Sequence, residues 1–147
     1  MLKRLLIAFV IVLAVGASSL PAQLYGPWAG SGKGSCPLPD GSVMYPWQDW
    51  YGILRQDSDV FSGTWRDTVT GNKGTFKGSN VAVGPTTVIC EGVWTWAGSN
   101  SDASAPVEMG AFVMTFYDDV GKCSGVWSCY SSVTPDQGRM SGYWVGE

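Results

Sequence analysis

Apolar and polar residues alternate with a period of two through most of the chain after residue 22. The pattern is clearest in five copies of one motif: Trp50-x-Gly52-x-Leu54, Phe61-x-Gly63-x-Trp65, Cys90-x-Gly92-x-Trp94, Cys123-x-Gly125-x-Trp127 and Met140-x-Gly142-x-Trp144. Successive side chains of a strand point to opposite faces, so the motif residues of each copy share one face of a β-strand. The intervening residues are mostly polar or β-branched, so the pattern predicts antiparallel strands with one buried face.

Turn-forming residues separate these segments. Asp57-Ser58-Asp59, Thr70-Gly71-Asn72 and Asp118-Asp119-Val120-Gly121 are typical of turns between strands. No segment after residue 22 has the 3.6-residue period of a helix. The pattern predicts eight strands, separated by short connections apart from a long loop at 34–48, and their ranges are 25–33, 49–56, 60–67, 73–80, 87–97, 109–117, 122–130 and 138–146.

Glycine at the inward position of nearly every strand favours a closed barrel. A small barrel coils tightly, and glycine relieves crowding on its inner face. A two-sheet sandwich is the alternative, but its Greek-key connections need longer crossovers. The predicted fold class is therefore all-β, a single up-and-down antiparallel β-barrel of about eight strands over residues 23–147. A membrane barrel has an apolar band on its outer face, whereas the outer face predicted here is polar. We therefore expect no stable membrane insertion.

Residues 1–22 have the three parts of a secretory signal peptide. Lys3 and Arg4 precede an apolar run, Leu5 to Val15, which small residues follow. The run is shorter than the ~20 residues of a membrane-spanning helix, so a retained anchor is the weaker interpretation. Cleavage after Gly16, Ser19 or Ala22 is compatible with the sequence. We expect a secreted protein, periplasmic or extracellular.

Four cysteines follow the leader. An even number in a small exported domain predicts two disulfide bonds. A zinc site needs two closely spaced pairs, whereas five residues separate the nearest pair here, Cys123 and Cys129. These two cannot bond within one extended strand, because bridged Cα atoms lie within about 7 Å. The order of the strands predicts a Cys36–Cys129 bond at one end of the barrel and a Cys90–Cys123 bond at the other.

Composition and charge exclude several classes of function. The chain has 147 residues, a net charge of −3 and no histidine, so histidine-dependent catalysis and histidine metal sites are absent. The acidic balance argues against a nucleic-acid partner. Asp67 follows a strand where a turn begins, which favours a turn-forming role over catalysis. We therefore predict a protein that is not an enzyme and that has no cofactor and no metal.

Two short motifs carry a resemblance to known barrels. Ser62-Gly63-Thr64-Trp65 is similar to the Gly-Thr-Trp strand of avidins, and Gly26-Pro27-Trp28 matches the Gly-x-Trp of lipocalins in spacing. The architecture from about Tyr25 to Glu147 resembles this avidin and lipocalin group. The resemblance implies a ligand-binding barrel. The Asn, Ser and Tyr with which avidins bind biotin have no counterpart here, so it implies no biotin site.

The inward tryptophans leave two functions open. In the first, a small hydrophobic or aromatic molecule binds inside the barrel, because small-molecule pockets are mostly apolar. In the second, these side chains simply fill the barrel of an exported structural or cell-surface interaction module. Trp28, Trp47 and Trp50 flank the loop 34–48, and they could form a lid or an aromatic platform for sugar rings. We expect instead that this loop packs over one mouth of the barrel. The candidate binding residues are aromatic, namely Trp28, Trp50, Trp65, Trp94, Trp96, Phe112, Trp127 and Trp144.

Overall fold

The computed structural model describes residues 23–99, 102–132 and 138–146. The predicted leader lies outside these residues. The described part contains ten strands, and no helix in it is long and apolar enough to cross a membrane. The strands are β1 (Gly26–Gly34), β2 (Cys36–Pro37), β3 (Val43–Met44), β4 (Asp49–Leu54), β5 (Val60–Arg66), β6 (Lys73–Val83), β7 (Thr87–Ser99), β8 (Asp102–Tyr117), β9 (Lys122–Trp127) and β10 (Gly138–Trp144).

Eight of the strands form a closed barrel in the order β1-β10-β9-β8-β7-β6-β5-β4. Every neighbouring pair is antiparallel, and each barrel strand lies beside the barrel strand that precedes it in the chain. Pairing of β1 with β10 closes the ring. The prediction of an all-β, up-and-down antiparallel barrel of eight strands is confirmed.

The inward positions of the glycine motif form the hydrophobic core. Alternation along β4 illustrates this, since Trp50, Gly52 and Leu54 are buried while Tyr51 and Ile53 are exposed. The largest fully buried side chains are aromatic residues, leucine and methionine: Trp28, Trp47, Trp65, Trp94, Trp127, Phe61, Phe76, Phe112, Phe116, Met44, Leu54 and Met114.

A cap covers one end of the barrel. It consists of the β2–β3 ribbon, in which Cys36 pairs with Met44, and of the segment 45–48 that leads into β4. A disulfide bond from Cys36 to Cys129, with a Cα–Cα distance of 5.8 Å, ties the ribbon to the end of β9. The hydroxyl of Ser131 also donates to the carbonyl of Pro37 at 2.8 Å. The prediction that 34–48 packs over a barrel mouth is therefore right, although part of this loop is a strand pair.

The segment 23–25 lies at the opposite end. The indole nitrogen of Trp28 donates to the carbonyl of Leu24 at 2.6 Å, and that of Trp144 donates to the carbonyl of Tyr25 at 2.9 Å. Leu24 is buried in the core. Chain segments thus pack against both ends of the barrel.

The second predicted disulfide bond, Cys90–Cys123, is wrong. Both cysteines are buried and free. Cys90 of β7 pairs with Met114 of β8, and Cys123 of β9 pairs with Phe116 on the other side of β8. Two interstrand spacings, about 10 Å, therefore separate β7 from β9, more than a disulfide bond can span.

Candidate functional site

The centre of the barrel is filled by Trp47, which belongs to the cap and not to a barrel strand. Its side chain is fully buried and stacks on Phe76, with ring centroids 4.6 Å apart. Phe112 lies at 5.1 Å and Trp50 at 6.2 Å. An indole inserted from the cap therefore occupies the space where a ligand of an open barrel would lie.

The backbone conformation and the indole nitrogen of Trp47 are both unusual. Its backbone has φ 65°, a left-handed conformation that is uncommon outside glycine. Its indole nitrogen is buried and has no hydrogen-bond partner within the described residues. A buried donor without a partner costs about 1–3 kcal/mol, so packing of the indole must offset this loss.

The carboxylate of Asp67 anchors the cap to the barrel. Asp67 is buried at the end of β5, and its Oδ2 accepts a hydrogen bond from the backbone nitrogen of Tyr45 at 2.8 Å. Its Oδ1 accepts from the backbone nitrogens of Val69 at 2.8 Å and Thr70 at 3.1 Å. These bonds satisfy the carboxylate within a turn, so the predicted turn-forming role of Asp67 is confirmed. They also fix the residue two positions before Trp47.

Three tryptophans form a layer at the capped end. Trp94 lies between Trp65 and Trp127 in edge-to-face contacts, with centroids 5.8 Å and 5.6 Å away. The nitrogen of Trp65 donates to the carbonyl of Thr95, and that of Trp94 donates to the carbonyl of Ser128. Edge-to-face aromatic pairs contribute about 0.5–1.5 kcal/mol beyond the area they bury. This layer is packed core.

The predicted binding residues do not line one site. Trp28 packs on Phe116 towards the uncapped end, at a centroid distance of 4.8 Å. Trp96 and Trp144 are only partly buried. The nitrogen of Trp96 donates to Asn72 at 2.8 Å. The others are buried: Trp50 and Phe112 around Trp47, and Trp65, Trp94 and Trp127 in the layer.

Sequence reasoning assigned Trp47 to the loop over the barrel mouth and omitted it from the candidate binding residues. The available signal was a large apolar residue three positions before Trp50, in a loop that precedes a strand. No period indicates which way a loop residue points, so the insertion of Trp47 could not be read from the pattern.

The free thiols offer little reactivity. Burial raises the pKa of Cys90 to about 12, and the neighbouring Glu91 adds to this effect. Burial also raises the pKa of Cys123 to about 12. The thiolate is the reactive form of cysteine, so both groups are inert at neutral pH. Among the described residues, no group of three or more His, Cys, Asp and Glu side chains is arranged to hold a metal ion.

Grooves are found on the outer surface of the barrel. Two of them lie along β1, β10 and β9 and share Ser31 and Ser141 in their walls. Their volumes are about 480 Å³ and about 600 Å³. The larger one is lined by polar and aromatic side chains that include Asp49, Lys122 and Tyr143. Both grooves therefore lie on the outside of the barrel wall.

This geometry has no counterpart among the known proteins with which the chain was compared. The chain matches no protein-family model, no curated protein and no solved structure. The closed eight-stranded barrel is compatible with the avidin and lipocalin architecture, and no family is assigned to the chain.

Proposed function

We propose that this chain is an exported interaction module, in which a filled barrel serves as a rigid scaffold and the outer surface binds the partner. The position of Trp47 carries the proposal. Its indole stacks on Phe76 at 4.6 Å inside the barrel, where a small hydrophobic molecule would otherwise bind. Eight strands give an interior just wide enough for side chains or one small ligand, so an inserted indole and a ligand compete for the same space.

Three further observations support this function. The Cys36–Cys129 disulfide bond joins segments 93 residues apart and is typical of proteins outside the cytosol. The signal-peptide pattern of residues 1–22 agrees with export. The pKa values of Cys90 and Cys123, both raised to about 12, give the barrel interior no reactive nucleophile at neutral pH, which favours binding over catalysis.

Native mass spectrometry of the exported protein tests the filled scaffold. We expect the mass of the chain alone, with one disulfide bond, and no component that leaves on denaturation. A solvatochromic apolar dye should not become fluorescent with the wild-type protein. Trp47→Ala provides the positive control, because loss of the indole leaves a cavity that the dye can enter. A small molecule found in the wild-type native spectrum would overturn the proposal.

A second candidate function is a barrel that binds a flat hydrophobic molecule in place of Trp47. The unpartnered indole nitrogen and the left-handed backbone of Trp47 favour it, because both weaken the closed state. In this case the dye binds the wild-type protein and Trp47→Ala with similar affinity. The native spectrum and the dye titration therefore separate the two functions.

A further inference from the structure

The outward side chains of β1, β10 and β9 form a regular three-by-three grid. The register of these strands places residues directly opposite one another in three rows. We call this surface the cationic face, and its rows are Lys33–Arg139–Val126, Ser31–Ser141–Ser124 and Ala29–Tyr143–Lys122.

Positive charge is concentrated on the cationic face. The three strands carry Lys33, Lys122 and Arg139 and no Asp or Glu, although the whole chain has a net charge of −3. All three cationic side chains belong to exposed residues. These three strands therefore carry a charge of +3 in a chain whose net charge is negative.

Lys33 lies directly opposite Arg139 in the ladder between β1 and β10. Like charges in this position destabilise a sheet. Within the described residues the single ion pair joins Arg66 to Asp49 at 2.8 Å, so neither Lys33 nor Arg139 has an acidic partner there. Asp49 lies opposite Ser31 and lines the larger groove, but Arg66 balances its charge. A locally unfavourable pair of cations is expected where function requires it, and an anion bound between them would remove the repulsion.

The middle row supplies hydroxyl groups. Ser31, Ser124 and Ser141 are exposed, and their side chains make no hydrogen bond in the part of the chain that the structure describes. They occupy adjacent strands, so their backbones are spaced by about 4.8 Å. Ser31 and Ser141 line both grooves, and Ser124 lines one of them. Serine is short, so the longer side chains of Lys33, Arg139 and Tyr143 in the rows beside it extend further from the sheet.

We propose that the cationic face binds an anionic oligosaccharide. Lys33 and Arg139 bind a carboxylate or sulfate group, to which a guanidinium offers two parallel hydrogen bonds. The serine row exchanges hydrogen bonds with sugar hydroxyls, which are donors and acceptors in the same way as serine itself. Tyr143, 58% exposed in the row beside the serines, offers a flat apolar ring to a sugar face. This inference rests on the proposed function, because it names the partner of the outer surface.

Three probes separate a sugar from other anions, and calorimetry at low salt measures their binding. An alginate oligosaccharide supplies carboxylates on sugar rings, a dextran oligosaccharide supplies neutral rings, and polyphosphate supplies charge without rings. We expect the alginate oligosaccharide to bind most tightly and its binding to disappear at about 0.5 M salt, where surface charges are screened. Equal or tighter binding of polyphosphate, or of vesicles with anionic headgroups, would overturn the proposal.

Matched variants locate the site. Lys33→Gln combined with Arg139→Gln should weaken alginate binding at least about tenfold, because each lost bond to a charged group contributes more than a neutral one. The control is Lys73→Gln with Lys77→Gln on β6, four positions from β10 around the ring. This control variant removes the same number of positive charges and should change the affinity for the alginate oligosaccharide by less than about twofold. Similar losses in both double variants would exclude the cationic face as the site.

Ser141→Val tests the role of the serine row. Valine is well tolerated on an exposed strand position, so the variant should fold. We expect it to weaken alginate binding about threefold or more and to leave polyphosphate binding unchanged. If no alginate binding is detected while the native spectrum shows a ligand-free barrel, the inference fails and the proposed function stands. A ligand inside the barrel would overturn the proposed function whatever the alginate result.

Discussion

Trp65 of β5 lies directly opposite Gly74 of β6, and a Cβ atom added to Gly74 would lie 2.6 Å from the indole nitrogen of Trp65. The same relationship recurs in other strand pairs of the barrel, namely Trp94 with Gly110, Trp127 with Gly138 and Trp50 with Gly30. These four glycines lie outside the five copies of the motif, and each makes room for the indole of the neighbouring strand. The pattern predicts that inward glycines relieve crowding, and at these four positions the indole opposite is one of the groups that a side chain would meet.

Substitution Gly74→Ala tests this relationship. The added methyl group would also lie 1.8 Å from the carbonyl oxygen of Thr95, a backbone atom that cannot rotate away. We expect a loss of about 3 kcal/mol in the free energy of unfolding, at the upper end of overpacking effects. Guanidinium unfolding followed by tryptophan fluorescence measures it.

Gly84→Ala is the matched control, because the nearest atom to its added Cβ is the hydroxyl of Thr87 at 3.2 Å. Its effect should stay within about 0.5 kcal/mol, as for most surface substitutions. If both variants unfold at the same denaturant concentration, the close approach at Gly74 does not limit the packing of the barrel.

The sequence predicted the barrel well because a period of two determines which residues of each strand point inward. The eight strands, the inward tryptophans and the Cys36–Cys129 bond all follow from that period and from the up-and-down order. The lengths of β7 and β8 were underestimated, since both continue past the predicted ends at 97 and 109. Register shifts between these strands near Trp94 and Trp96 interrupt the alternation there.

The features that relate to function were harder to predict. Insertion of Trp47 depends on a loop conformation and on the bonds of Asp67 to Tyr45, which no periodicity encodes. The cationic face depends on the closing pair β1–β10, which brings Lys33 beside Arg139 from more than a hundred residues away. Alternation predicts that both side chains point outward, but the register that makes them neighbours is visible only in the fold.

Trp47→Ala should destabilise the protein by about 3–5 kcal/mol, the usual result of removing a large buried aromatic side chain. Added indole should restore part of this stability, because a ligand that binds only the folded state raises its melting temperature. Thermal unfolding with and without indole measures the effect. Trp96→Ala, at a partly buried position, should lose less stability than Trp47→Ala and should not be stabilised by added indole. Equal stabilisation of both variants by indole would contradict an interior cavity at Trp47.

Asp67→Ala should loosen the cap. The substitution leaves the backbone nitrogens of Tyr45, Val69 and Thr70 without their hydrogen-bond acceptor. We therefore expect the free energy of unfolding to fall by about 3 kcal/mol. Chymotrypsin should then cleave after Trp47 faster than in the wild-type protein. Asp57→Ala, in an exposed turn, is the control and should leave the cleavage rate unchanged. Unchanged cleavage in Asp67→Ala would mean that the disulfide bond alone holds the cap.

The two buried thiols should make the protein less stable in alkali. The pKa of Cys90 and of Cys123 is about 12 in the folded protein, against an ordinary value of 9.0. Above about pH 9 the unfolded chain releases both thiol protons while the folded chain keeps them, so stability is full below about pH 9 and falls as the pH rises towards 12. In this range each thiol lowers the free energy of unfolding by at most about 1.4 kcal/mol per pH unit.

Unfolding midpoints at about pH 8 and about pH 10.5 measure this dependence. The double variant Cys90→Ala with Cys123→Ala should lose much less stability between the two pH values than the wild-type protein. Tyr25 retains a smaller dependence in both proteins, because burial and the carboxylate of Asp59 raise its pKa above 10.0. An identical decline in the two proteins would show that Cys90 and Cys123 reach solvent in the folded barrel, and rapid alkylation of the native protein would then be expected as well.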